Sequence, residues 1–102
     1  ERNLLSPDQE IALFRFAQEA LTNAVKHAES PRAQVSLQLR NGLLKLSVRD
    51  WGKGFDLEKT MAQGRGLGLP GMVERLALIS GHLNIESSPE GTALTAGVLL
   101  EE

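Results

Sequence analysis

The chain has 102 residues, 41% of them hydrophobic and 24% charged, with a formal net charge of -2 and a pI near 5.7. A single globular domain over 1–102 is expected, since one core at this length buries roughly two-thirds of the unfolded surface. The charge balance leaves no basic footprint for nucleic acid. The lack of cysteine excludes a disulfide framework or a cysteine zinc site and suits the cytosol. No apolar run approaches a membrane span, and no charged-then-apolar leader opens the chain.

Ser6-Pro7-Asp8-Gln9 is a helix start, with Ser6 as cap, Pro7 at the first helical position and Gln9 placed for a capping box. The helix is expected to run to about Glu29 and stop before Pro31. Ile11, Phe14, Ala17, Leu21, Val25 and Ala28 recur at helical spacing and form the expected core face. The period then becomes two: Val35, Leu37 and Leu39 alternate with polar residues, as do Leu44, Leu46 and Val48. Asn41-Gly42 between them suits a tight hairpin.

Residues 50–71 hold six glycines and read as a long functional loop. A second helix is expected from about Pro70 to Ser80, with Gly81 ending it in the left-handed conformation. Leu83 and Ile85 begin a third strand, Ser88-Pro89-Glu90-Gly91 makes a turn, and Thr92–Leu100 is the last strand. This order predicts an α+β fold: a two-layer sandwich with a mostly antiparallel sheet and helices on one face.

Glu19, Asn23, Lys26 and His27 share one helical face, with Ala12, Phe16 and Ala20 among them. This set is either a binding surface or an ordinary solvated face; a zinc site would need more histidines. Asp50 ends a strand and is followed by Gly52 and Gly54. A carboxylate there accepts only, and so selects a donor such as an exocyclic amine, while the glycines admit a flat ring close to the backbone. The competing reading is a plain turn. Gly64, Gly66 and Gly68 precede the second helix, where backbone N–H groups and the helix dipole favour phosphate; a bare hinge is the alternative. Gly91-Thr92 reads as a turn glycine before a strand, His82 as a strand-start residue and Trp51 as a packing residue.

Taken in order, Glu19-Ala-Leu-Thr-Asn23-Ala-Val-Lys26-His27-Ala28, Asp50-x-Gly52-x-Gly54-Phe55, Gly66-x-Gly68-Leu69 and Gly91-Thr92 resemble the N box and glycine boxes of the GHKL ATPase superfamily. Gln18–Asn23, Lys26–Ala28 and Gly71-Met72-x-x-Arg75 are most similar to histidine kinases of the nitrate-sensor and desaturation-sensor subclass. The resemblance implies the Bergerat ATP-binding fold and the catalytic domain of a sensor histidine kinase, cut from a longer, cytoplasmic or membrane-anchored protein. It implies that Asn23 holds Mg²⁺ against the phosphates of ATP, with Glu19 as a catalytic carboxylate one turn earlier. Lys26 and His27 would flank phosphates and sugar, Asp50 would select adenine, and Gly52 and Gly54 would shape its pocket. Gly66, Gly68 and Leu69 would form the phosphate-facing end of a mobile lid over about residues 56–68, and Thr92 would lie near adenine.

The partners implied are a helical dimerisation domain carrying the phosphorylated histidine and a downstream response regulator; the domain alone is expected to be a monomer. A phenylalanine box is not evident between Phe55 and Gly64, and the strand expected before the first helix is missing or reduced to Glu1–Leu5. Two other functions fit the same resemblance: a regulatory module that only binds nucleotide, and an anti-sigma-type serine kinase.

Overall fold

Helix α1, Pro7–Lys26, opens on a reciprocal pair of hydrogen bonds: the Ser6 N–H donates to Gln9 Oε1 (2.9 Å) and the Gln9 N–H donates to Ser6 Oγ (3.2 Å). This is the capping box the sequence predicts. The structure, a computed structural model, describes residues 5–26, 30, 32–52 and 68–100. The expected helix end at 27–29, the lid over 56–67 and its approach from Gly54 lie outside the described residues.

Strands β1 (Ala33–Arg40) and β2 (Leu43–Asp50) pair antiparallel through a turn in which Asn41 (φ 55) and Gly42 (φ 80) both take positive φ. That is the conformation Asn-Gly favours in a two-residue hairpin. Helix α2, Leu69–Ala77, follows, and then β3 (Gly81–Ser88) and β4 (Gly91–Leu99) form a second antiparallel hairpin. The two hairpins join through β2 and β4, also antiparallel, giving the order β1-β2-β4-β3. Helix α2 is shorter than the sequence suggests. The left-handed residue at its end is Ser80 (φ 59), with Gly81 already in β3. Gly81 is needed there for space: a Cβ would sit 3.0 Å from the Gly97 carbonyl oxygen and 3.2 Å from that of Leu76.

The core lies between the helices and one face of the sheet. Leu44 and Val48 of β2 and Leu94, Ala96 and Val98 of β4 meet Leu13, Phe16 and Ala20 of α1 and Leu69, Met72 and Leu76 of α2. This corrects the predicted core face of α1. Ile11, Phe14, Leu21 and Val25 are exposed, and the buried stripe is Leu13, Phe16, Ala20 and Ala24. The helix carries two apolar stripes, and the one with Ala20 and Ala24 wins because small side chains let its axis come close to the sheet. On β1, Val35, Leu37 and Leu39 stand in register with Val48, Leu46 and Leu44 yet are exposed, because α1 packs chiefly on β2. The other sheet face is polar and open, as an antiparallel sheet allows; Ser47 and Thr95 hydroxyls bond across it at 2.9 Å, and the His82 ring covers Gly97. No helix among the described residues is long and apolar enough to cross a membrane.

The two stripes of α1 are separable by substitution. Phe16, 2% exposed, should cost about 3–5 kcal/mol on change to Ala. Phe14, 65% exposed, should stay within about 0.5 kcal/mol. Urea unfolding of the two variants measures both; equal losses would contradict the observed packing.

Candidate functional site

Asp50 ends β2, and its alternation puts the side chain on the helix side of the sheet, where only 6% of the residue is exposed. Its Oδ1 accepts two backbone N–H groups, from Gly52 at 2.9 Å and from Thr92 at 3.3 Å. The first closes a tight turn of the kind Asp favours; the second crosses to β4. Among the described residues, Oδ2 carries no hydrogen bond. Within the described residues the carboxylate is thus held through Oδ1 alone, and Oδ2 keeps its capacity as an acceptor.

The crossing bond depends on Gly91. This residue has φ 146, and a Cβ on it would lie 2.2 Å from the Asp50 carbonyl oxygen and 3.1 Å from the Trp51 Cα. Any side chain would force the start of β4 away from the end of β2. Thr92, buried beside Asp50, also shares a 2.9 Å hydrogen bond between its hydroxyl and that of Ser87. As sequence, Gly91-Thr92 is an ordinary turn start, and only the resemblance sets Thr92 near adenine; its tight fit against Asp50 follows from the β2–β4 register, in which Asp50 faces Thr92.

The end of α1 is tied to the same place. Ser30 Oγ accepts the Trp51 N–H at 3.1 Å and the Arg32 N–H at 3.3 Å, and the Ser30 N–H donates to the Ala24 carbonyl at 3.0 Å. The strand end bearing Asp50 is thus fastened to the helix bearing Asn23 and Lys26. Ser30 was not singled out from the sequence; a hydroxyl just past a helix end is too common a feature to mark a site. Trp51 is half-buried and carries the guanidinium of Arg32 4.5 Å from its ring centre and that of Arg49 at 5.3 Å. Its packing partners are cations, which the sequence did not indicate.

Asn23 is half-buried on the flank of the core face of α1, and Lys26 is exposed at its last turn. Glu19 lies one turn before Asn23 and forms an ion pair with Arg75 of α2. Arg75 enters the sequence pattern only as part of Gly71-Met72-x-x-Arg75, with no role attached. Gly68 caps α2 with φ 73; a Cβ there would meet nothing within 4 Å, so the backbone angle alone calls for glycine. The first intrahelical bond runs from the Met72 N–H to the Gly68 carbonyl at 3.1 Å, which leaves the Leu69 and Gly71 N–H groups without acceptors in the helix. The sequence resemblance places Leu69 at the ligand; in the structure the residue is fully buried, its side chain in the core between the helices and the sheet. His27, Gly54 and Gly66 lie outside the described residues.

The close approach at Gly91 yields a measurable consequence. Gly91→Ala should cost about 1–3 kcal/mol through overpacking and separate Thr92 from Asp50. Thermal unfolding should register the loss; a variant as stable as the parent would mean that β4 does not press on Asp50.

The sequence pattern of the family described as histidine kinase-, DNA gyrase B- and HSP90-like ATPase matches residues 8–102. DegS of Bacillus subtilis, a signal transduction histidine-protein kinase/phosphatase, is 42% identical over 88 residues, which are 85% of this chain and 23% of DegS. The sensor histidine kinase MctS of Rhizobium johnstonii is 45% identical over 93 residues, 90% of this chain and 20% of MctS. The chain thus spans about a fifth of the length of these relatives. The ATP binding domain of PrrB from Mycobacterium tuberculosis superposes with a TM-score of 0.76 over 90% of this chain and 69% of that one, at 24% identity, a likeness of fold. The histidine kinase domain of the Erythrobacter litoralis EL346 blue-light activated kinase gives 0.74 over 87% of this chain and 46% of that one, also at 24% identity. A pattern match over residues 8–102 and relatives 42% and 45% identical together mean that this chain belongs to the histidine kinase-, DNA gyrase B- and HSP90-like ATPase family.

Proposed function

We propose that the domain binds ATP with Mg²⁺ and presents the γ-phosphate to a histidine on a helical dimerisation domain of the same parent protein. The observation that carries this reading is the Asp50 carboxylate, buried, fixed through Oδ1 by two backbone amides and offering Oδ2 as an acceptor. Such an acceptor suits the exocyclic amine of adenine and repels a carbonyl at the same place, as in guanine. Gly52 beside it lets a flat ring approach, and Thr92 borders the same end of the sheet.

The phosphates are assigned to the α1 side. The Asn23 amide oxygen is a hard donor of the kind Mg²⁺ accepts alongside water and phosphate oxygens. Lys26 adds a cation, and the N-terminus of α2, with its Gly68 cap and first-turn N–H groups that have no acceptor within the helix, favours negative charge. His27, Gly54 and Gly66 complete the set in the roles the sequence resemblance gives them. Bound ATP and Mg²⁺ supply the transferable phosphoryl group and neutralise its charge. The chain's own residues select the base, orient the phosphates and set the carboxylate of Glu19 beside them; most of the rate comes from that positioning. The domain then works in the cytoplasm as part of a histidine kinase that passes phosphate to a response regulator, and in isolation it is a monomer.

Isothermal titration with MgADP should give saturable binding and raise the melting temperature by mass action. A folded sample with neither response would end the proposal. Asp50→Asn turns an acceptor into a donor and should weaken ADP by about 1–3 kcal/mol. GTP binding the parent domain as tightly as ATP would contradict the role of Asp50.

The acceptor is assigned to another domain, so this chain incubated with labelled ATP should remain unlabelled. Addition of a separate helical domain bearing the acceptor histidine should place acid-labile label on that domain. Label on His27 or His82 of this chain alone would show that the acceptor lies here.

A further inference from the structure

The ion pair between Glu19 and Arg75 joins the two helices at the end of the site assigned to phosphate. Its geometry is built into α2. Met72 and Leu76, at 1% and 0% exposure, anchor the helix in the core, and this leaves Arg75 directed along the flank that faces α1. Gly71, one turn earlier, makes room for the side chain: a Cβ there would lie 3.2 Å from Arg75 Nη1 and 3.8 Å from Cζ. The guanidinium therefore folds back against the Gly71 backbone and reaches Glu19. The unit Gly71-Met72-x-x-Arg75 has one physical reading: an anchor, a gap and a cation aimed at α1.

Glu19 needs such a cation. Its side chain is 41% exposed, and it precedes Asn23 by one helical turn on the same flank. A triphosphate held at Asn23 brings several negative charges to that flank, and a bare carboxylate would repel them. We propose that Arg75 is a positioning residue that acts through Glu19: it neutralises and orients the carboxylate so that a polyphosphate can occupy the Asn23 end of α1. The idea rests on the reading of Asn23 as the phosphate-side residue. It gives Arg75 a role in discriminating nucleotides by their phosphates rather than by their base.

The role is tested on this chain by titration with MgATP, MgADP and adenosine. Arg75→Ala should weaken MgATP by about fivefold, the scale of one unscreened like-charge contact at close range in water, with MgADP affected less and adenosine unchanged. Removal of the carboxylate in the same background, as Glu19→Gln with Arg75→Ala, should restore most of the MgATP affinity without restoring the melting temperature. Arg75→Lys should retain most of the affinity. A fall in melting temperature with equal losses for MgATP and adenosine would reduce the pair to a structural tether and overturn the proposal. So would failure of the double variant to recover MgATP binding. A parent chain that binds no nucleotide would instead remove the site assignment itself, so the two failures are told apart by the parent titration.

Discussion

The pairing of β2 with β4 holds the two hairpins in a common frame, and one carboxylate oxygen ties off its end. Asp50 Oδ1 accepts from Gly52 in its own hairpin and from Thr92 in the other, 42 residues away. The bond is possible only because β2 and β4, the inner strands, are neighbours with Asp50 opposite Thr92. That pairing closes the non-local part of the topology. It lets α1 and α2 share one core, and it places a buried acid where both hairpins end. Shift the β2–β4 register by one residue and the apolar rows leave the core, while Asp50 turns to the wet face.

Much of this was legible in the sequence because the signals are local. The Ser6–Gln9 capping box, the Asn41-Gly42 turn and the alternation of Leu44, Leu46 and Val48 need only neighbouring residues to act, and each occurs where the pattern placed it. The core face of α1 was not legible. Its sequence has an aliphatic-aromatic stripe through Ile11 and Phe14 and a smaller one through Phe16 and Ala20, and hydrophobicity favours the first. Packing distance decides for the second, and that distance is a property of the sheet beneath. Gly81 misled in a similar way: glycine after a helix suggests a left-handed cap, whereas Ser80 takes that conformation and Gly81 serves a close strand contact.

The site divides along the same line. From spacing alone, Asp50 with its glycines could be a plain turn and the face bearing Glu19, Asn23 and Lys26 a solvated one; their order along the chain is what carries the resemblance. The ties that hold them did not, because each joins residues far apart in the chain: Ser30 to Trp51, Thr92 to Asp50, Arg75 to Glu19. Leu69 illustrates the converse. It sits in a motif beside the glycines that the resemblance assigns to phosphate, yet its side chain is a core residue, which the motif alone does not reveal.

Trp51 is the one tryptophan of the chain, and it stands between Asp50 and Gly52. Its indole is half-buried, its amide is fastened to Ser30, and two guanidinium groups lie over its ring. Indole emission responds to nearby charge and to water access, and here both are set by the strand end that carries the buried acid. The domain thus contains its own optical reporter, native and unlabelled. A change in how Asp50 is held, or in how far α1 stands from β2, alters the fluorescence of a single known position.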